Sequence, residues 1–267
     1  MNIQEQIMHT TLRIEMLEKG NIKGMGTGFL VSVPVNNERD VKVVLVSNKH
    51  VLAVGDEIAI TFTTMKDGIP EFGKKLRIPI NNIKANVVGH PDSEVDVAAL
   101  LCTGIFNLLP NQLFFKAIQY DMLSDFTEKE LTVAENIFFV GYPNGRFDEK
   151  NNLPLVRTGL IASNPKFDYN GKPEFVIDAQ VFPGSSGSPV YINYTFEDFK
   201  NGRIVLGGQQ NIKVLGIVAQ TMLRNNILQT VPTGLKSFTQ EVLGLGIVFK
   251  STVIKETIDL LLKKHGD

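Results

Sequence analysis

The stretch Asp178-Ala179-Gln180-Val181-Phe182-Pro183-Gly184-Ser185-Ser186-Gly187-Ser188-Pro189-Val190 decides how this chain is read. A β-prone run enters a tight turn of Pro, Gly and Ser, and a second apolar run leaves it, the pattern of two strands joined by a sharp turn. One reading is an ordinary hairpin, for which these residues are common material. The other is a nucleophile turn, in which a serine hydroxyl is exposed while nearby backbone N–H groups converge on a developing oxyanion. Gly184 permits the backbone path this requires, having no side chain to obstruct it. In that second reading Ser186 is the nucleophile, and the N–H groups of Gly184 and Ser186 are the oxyanion donors.

A serine hydroxyl is a weak nucleophile and needs a positioned base, usually His, held in the right tautomer by a carboxylate. The chain offers His9, His50, His90 and His265. His50 follows the apolar run Val43-Val44-Leu45-Val46 at the point where it gives way to the polar turn Ser47-Asn48-Lys49, which suits a base better than a core position. His9 lies in the N-terminal segment, His90 in a Gly89-His90-Pro91 turn and His265 in the C-terminal tail. For the carboxylate, Glu94-Val95-Asp96-Val97-Ala98-Ala99-Leu100 sets Asp96 at the mouth of an apolar strand. An unpaired charge there is costly, and an imidazole N–H would offset the cost. Asp92 and Glu94 are the neighbouring alternatives.

Taken together, these segments resemble the chymotrypsin-fold (trypsin-like) serine proteases, and are most similar to the bacterial HtrA-like branch. Gly26-Thr27-Gly28-Phe29-Leu30-Val31 resembles the family's strand before the His, Ser47-Asn48-Lys49-His50-Val51 its His segment, and Asp96-Val97-Ala98-Ala99-Leu100 its Asp strand. Gly141-Tyr142-Pro143-Asn144-Gly145, Thr158-Gly159-Leu160-Ile161-Ala162-Ser163, the Ser186 turn and Leu215-Gly216-Ile217-Val218 follow in the family's order. His50 and Asp96 are 46 residues apart, and Asp96 and Ser186 are 90 apart, spacings that also fit.

The resemblance implies an all-β chain of two packed six-stranded antiparallel barrels with a C-terminal α-helix and the site in the cleft between the barrels. It implies a first barrel over about residues 8–102, a connection over 103–134, a second barrel over 135–250 and a helix over 251–264. His50 and Asp96 would come from the first barrel and Ser186 from the second. The implied activity is peptide-bond hydrolysis by a His-Asp-Ser triad through an acyl-enzyme, with a protein or peptide as substrate and no cofactor or metal. By motif alignment Gln180 and Val181 would floor the primary specificity pocket, and Ala219, Gln220 and Thr221 would form the edge that pairs with the substrate backbone. No acidic residue falls at that floor, so a neutral, small to medium apolar side chain is expected in the pocket.

The remaining sequence agrees with a strand-rich chain. Short runs rich in Val, Ile, Phe and Thr, at Val41 to Ser47, Glu57 to Thr63, Asn136 to Tyr142, Val156 to Ala162, Glu174 to Ala179, Pro189 to Asn193 and Lys213 to Gln220, read as strands. Asn111 to Glu130 has a loose helical period, and Ser251 to Lys264 a clear amphipathic one through Val253, Ile254, Ile258, Leu261 and Leu262. A net charge of -1, with no concentrated Lys and Arg, argues against nucleic acid as a partner. The single Cys102, set in an apolar run, excludes an internal disulfide and fits a reducing compartment. Neither a signal peptide at the N-terminus nor a membrane-spanning run is evident, so a cytoplasmic protein that does not enter a membrane is expected.

Two departures from the family bear on control. Ser185 stands where digestive trypsins have an Asp that pairs with a newly cut N-terminus, and Gly187-Ser188 stands where Gly-Gly is usual. Activation by an N-terminal ion pair is therefore not expected. The PDZ domain of many HtrA-like enzymes is likewise not expected, and a small cytoplasmic protease of this kind is expected to need a regulatory protein partner or a narrow substrate range. The alternative function is a protease-fold peptide-binding or scaffold module, latent or inactive without a partner. An α/β-hydrolase esterase is disfavoured because its triad runs Ser, acid, His along the chain.

Overall fold

The computed structural model describes residues 1–35, 40–52, 55–195, 198–200, 203–205, 210–229 and 236–266. Nine strands make the first half: β1 Thr11–Glu18, β2 Asn21–Val35, β3 Asp40–Ser47, β4 Glu57–Lys66, β5 Ile69–Asn81, β6 Val88–Gly89, β7 Ala98–Leu101, β8 Leu113–Phe114 and β9 Ile118–Gln119. The strand order is β5-β4-β1-β2-β3-β7-β6, with β8 on β4 and β9 on β2. Its two ends, β5 and β6, are joined along the chain by the short helix α3, Ile83–Asn86, so the sheet curls round a single interior. Ile14, Leu30, Leu45, Ile60, Ile83, Leu100 and Cys102 fill that interior.

The second half closes as a six-stranded barrel in the order β10-β11-β12-β17-β16-β13. Its strands are β10 Asn136–Gly141, β11 Leu155–Ile161, β12 Glu174–Asp178, β13 Pro189–Thr195, β16 Gln210–Gln229 and β17 Lys236–Lys250. Between β13 and β16 along the chain, β14 Asp198–Lys200 and β15 Arg203–Val205 pair as a separate two-stranded sheet. The expected all-β architecture of two barrel-like halves and a C-terminal helix is what the chain adopts.

The period of two explains why the central strands read as continuous apolar runs. On β2 and β3, Leu30 and Leu45 point into the first half, whereas Phe29, Val31, Val44 and Val46 point into a seam shared with Val140, Val176, Val214 and Ile217 of the second half. The second barrel repeats the device, with Phe175, Ile177, Leu215 and Val248 inside and Val176, Ile217 and Phe249 on the seam.

Helix α5, Ser251–His265, closes the seam with the side chains its sequence period selects: Val253, Ile254, Ile258, Leu261 and Leu262 are all buried. It ends at Gly266, whose φ of +82 makes a left-handed cap, and carries Lys263, Lys264 and His265 in its last turn. Hydrogen bonds from Ser251 to Ser124 O and from Tyr120 to Asp259, and a pair between His90 and Glu256, tie the helix to both the connection and the first half.

The loose helical period over Asn111 to Glu130 does not become a helix. That segment holds β8, β9 and a 3-10 turn at Tyr120–Met122, and its apolar residues Leu113, Phe114, Ile118 and Leu123 are consumed one or two at a time by pairing to β4, β2 and Val214. Tertiary pairing overrode a weak local period. The helix in this region lies earlier, as α4 over Thr103–Leu108. Two further short helices are α1, Ile3–Met8, with an Asn2–Glu5 capping box, and α2, Lys49–Leu52.

Ile258 on α5 is fully buried at the seam, and its neighbour Leu260 is 38% exposed. Ile258→Ala is expected to lower the unfolding free energy by about 2–5 kcal/mol. Leu260→Ala should change it by about 0.5 kcal/mol or less. Urea titration followed by circular dichroism measures both, and equal effects would contradict this packing.

Candidate active site

Three segments bring the candidate residues to one cleft. Helix α2 begins just after β3, and Val51 and Leu52 bury themselves in the first half, which leaves His50 facing outward with its ring about half exposed. The loop before β7 buries Val95 and Val97, so Asp96 between them turns the other way. The Asp96 carboxylate then accepts two hydrogen bonds from the same residue, from His50 Nδ1 at 2.5 Å and from the His50 backbone N–H at 3.1 Å. Asn48 Nδ2 donates to the Asp96 carbonyl at 2.6 Å and fixes the loop from behind. A carboxylate only accepts, so Nδ1 carries the proton and Nε2 presents a lone pair in the neutral ring.

The Ser186 turn is defined by its peptide groups. Ser185 N–H bonds to Phe182 O at 3.0 Å, Pro183 occupies the second position and Gly184 the third with φ +86, which together make a type II turn. A side chain on Gly184 would press on the Tyr142 carbonyl. Pro183 O accepts from Asn144 N–H at 2.6 Å, so the N–H of Gly184, on the opposite side of that planar peptide, is aimed away from Asn144. Ser185 O accepts from Ser188 N–H at 3.0 Å, which sends the N–H of Ser186 the other way. Among the described residues, Ser185, Gly187 and Ser188 donate within the protein and the N–H groups of Gly184 and Ser186 do not. These two unspent donors are the pair expected from the sequence.

His50, Asp96 and Ser186 line one cavity of about 800 Å³, together with Val181, Phe182, Pro183, Ala219, Gln220 and Thr221. The Ser186 hydroxyl donates to the Ala219 carbonyl at 3.2 Å, and no Ser186–His50 hydrogen bond is formed. Val181 and Ala219 are buried apolar walls, and the Thr221 hydroxyl bonds to Val181 O at 2.6 Å. Gln180 does not join them. It is exposed outside the cavity lining, and its carbonyl accepts from Arg157, whose guanidinium lies over the Phe182 ring. The expectation that Gln180 floors the pocket is thereby corrected: the turn after β12 points Val181 inward and Gln180, its neighbour, outward.

At another part of the cavity Glu94 of the first half pairs with Lys172 of the second at 3.0 Å, beside Glu174, whose carboxyl is pushed up by burial and drawn back by Lys172. Glu94 and Lys172 are 78 positions apart, and no local pattern announces their meeting. Among the described residues no group of three or more His, Cys, Asp or Glu side chains could hold a metal ion. No helix among them is long and apolar enough to cross a membrane.

Residues 26–195 match the trypsin-like peptidase domain, and the chain belongs to that family. Its fold is similar to the serine endoprotease from Yersinia pestis, with a TM-score of 0.52 and 13% identity over 97% of this chain, which spans 65% of the length of that protein. It is equally similar to the scabies mite inactivated protease paralogue S-I1, with a TM-score of 0.51 and 13% identity, covering 97% of this chain and 98% of the other. At such identity the likeness concerns the fold alone. No curated protein matches the sequence significantly.

Gly187 has φ +90, and a Cβ on it would overlap the Thr27 carbonyl and the Ser47 hydroxyl. Gly171, at φ +78 in an exposed hairpin, has nothing within 4 Å of the same position. Gly171→Ala is therefore expected to cost about 1 kcal/mol of stability through backbone strain alone. Gly187→Ala should cost about 3 kcal/mol or more, because overpacking is added to the strain. Equal unfolding midpoints for the two variants would refute this packing of the turn.

Proposed function

We propose that this chain is a serine endopeptidase that hydrolyses peptide bonds through Ser186, His50 and Asp96. One observation carries the reading: a His50–Asp96 pair that engages Nδ1 and leaves Nε2 free of the carboxylate shares a cavity with a serine turn whose two unspent N–H groups are those of Gly184 and Ser186. In the proposed reaction the Ser186 hydroxyl leaves the Ala219 carbonyl by rotation about its Cα–Cβ bond and gives its proton to His50 Nε2 as Oγ attacks the substrate carbonyl. The N–H groups of Gly184 and Ser186 then stabilise the oxyanion, where such donors act most strongly. The imidazolium returns its proton to the leaving amine, and water repeats the sequence on the acyl-enzyme. Asp96 stabilises the imidazolium and keeps the ring in its tautomer.

Val181, Phe182 and Ala219 give the neighbouring wall an apolar character without a carboxylate, which supports cleavage after small to medium apolar residues. Extended substrate would pair with the edge Ala219–Thr221. A reducing, cytoplasmic setting accords with Cys102, the one thiol, which is buried with its pKa pushed up to about 12. The second reading, a peptide-binding module that does not cut, is favoured by the bond from the Ser186 hydroxyl to the Ala219 carbonyl.

Ser186→Ala is expected to reduce kcat by about a millionfold, and Asp96→Asn by about ten-thousandfold, if the triad acts as a unit. A fluorophosphonate probe should label the wild type at Ser186 alone. An unlabelled wild type, in the presence of peptide substrates, would favour the non-cutting module. A cleavage profile dominated by Arg or Lys before the scissile bond would overturn the apolar preference.

A further inference from the structure

The Ser186 turn lacks the ion pair that an Asp at position 185 would supply. Ser185 and Ser188 are buried with hydroxyls that find no partner among the described residues. Something else must hold the turn in the type II geometry, because a type I turn of the same residues would swing the Pro183–Gly184 peptide and withdraw one oxyanion donor.

Thr27 of β2, fully buried and belonging to the first half, is bonded to the turn twice. Its Oγ1 donates to Gly184 O at 2.8 Å, and its backbone N–H donates to Ser186 O at 2.9 Å. The direction of the hydroxyl is set, because Oγ1 also accepts from Tyr142 N–H at 3.2 Å. The peptide groups so gripped are fixed at their other ends as well, by Ser185 N–H to Phe182 O and by Gly187 N–H to Val218 O at 2.9 Å. The chain from Pro183 to Gly187 therefore has alternate peptide planes locked at both ends, and the two planes that alternate with them, Pro183–Gly184 and Ser185–Ser186, carry the unspent donors. Thr27 is itself braced, its carbonyl accepting from the Ser47 hydroxyl at 2.6 Å.

From this we infer that Thr27 is the positioning residue that holds the oxyanion turn in its working geometry, in place of an activation ion pair. The inference rests on the peptidase reading above. It makes the donors of the second half depend on a strand of the first, so the site is assembled by the contact between halves rather than by cleavage of the chain. The other clamp on the turn has the same origin. Asn144 opens the loop between β10 and β11, and that loop is anchored to the first half by Asn152 on Thr61 O, by Lys75 on Glu149 O and by Arg13 over the Phe147 ring.

The test compares Thr27→Val, which keeps the shape and the backbone N–H but removes the hydroxyl, with Thr27→Ser, which retains it. Thr27→Val is expected to lower kcat by roughly 10- to 100-fold, less than removal of a donor itself, with KM within about twofold of wild type. Its affinity for a peptide aldehyde inhibitor, which forms an oxyanion, should fall in proportion, while its affinity for a product-like peptide acid stays unchanged. Thr27→Ser should recover most of the loss. Wild-type kcat in Thr27→Val would overturn the inference while leaving the peptidase reading intact. So would equal losses of aldehyde and product binding that Ser does not restore, since that pattern marks general disruption. A wild type that neither labels with fluorophosphonate nor cleaves any peptide would overturn the peptidase reading, and this inference with it.

Discussion

The apolar seam between the two halves is the constraint on which the site depends. His50 and Asp96 stand on one side of it and Ser186 on the other, so chemistry at their meeting point requires the halves to hold one relative placement. Phe29, Val31, Val44 and Val46 face Val140, Val176, Val214 and Ile217 across the seam, and α5 lays Ile254, Ile258 and Leu261 over it. Burial of each such side chain contributes about 1.5–3 kcal/mol, and a close-packed interior resists sliding because displacement opens voids. The polar contacts that cross the same boundary, such as Thr27 with Gly184 and Ser186, set direction within a placement that packing has already fixed.

Much of this was legible in the sequence because strands buried on both faces leave an unbroken apolar signature. The runs around Val43 to Val46, Ala98 to Leu100 and Leu215 to Val218 are strands for that reason. The amphipathic period of α5 was equally plain, since one helix face meets the seam and the other meets solvent. Asn111 to Glu130 misled because its few apolar residues are spent on pairing with three different partners, which a local window does not register. Gln180 misled for a different reason: a motif fixes which residues are adjacent, but a single turn decides which of two neighbours faces inward. The Glu94–Lys172 pair had no local signal at all, being made only when the halves come together.

The motifs that pointed to the site occur together because they pack together. A Cβ on Gly26 would collide with Val51, the side chain that seats α2 and with it His50. A Cβ on Gly28 would meet Ile14, Leu45 and the Val46 carbonyl, closing the gap through which β2 runs between its neighbours. Thr27 between them reaches the Ser186 turn. The run Gly26-Thr27-Gly28 thus serves His50 on one side and the Ser186 turn on the other, which no reading of it as a strand alone would require.

Ser188, in a position where glycine is usual in the family, is accommodated by packing of the same kind. Its backbone avoids the left-handed region, so a side chain there carries no intrinsic strain. The space for its hydroxyl is left by Gly141 at the end of β10, where a Cβ would overlap Ser188 Oγ and approach Thr27 Oγ1. Gly141, Thr27 and Ser188 therefore share one small volume, and enlarging any of them must displace another. A substitution at Gly141, far from Ser186 in sequence, would act on the turn through Thr27 and Ser188 without touching the cavity, because the free space beside the turn is already filled.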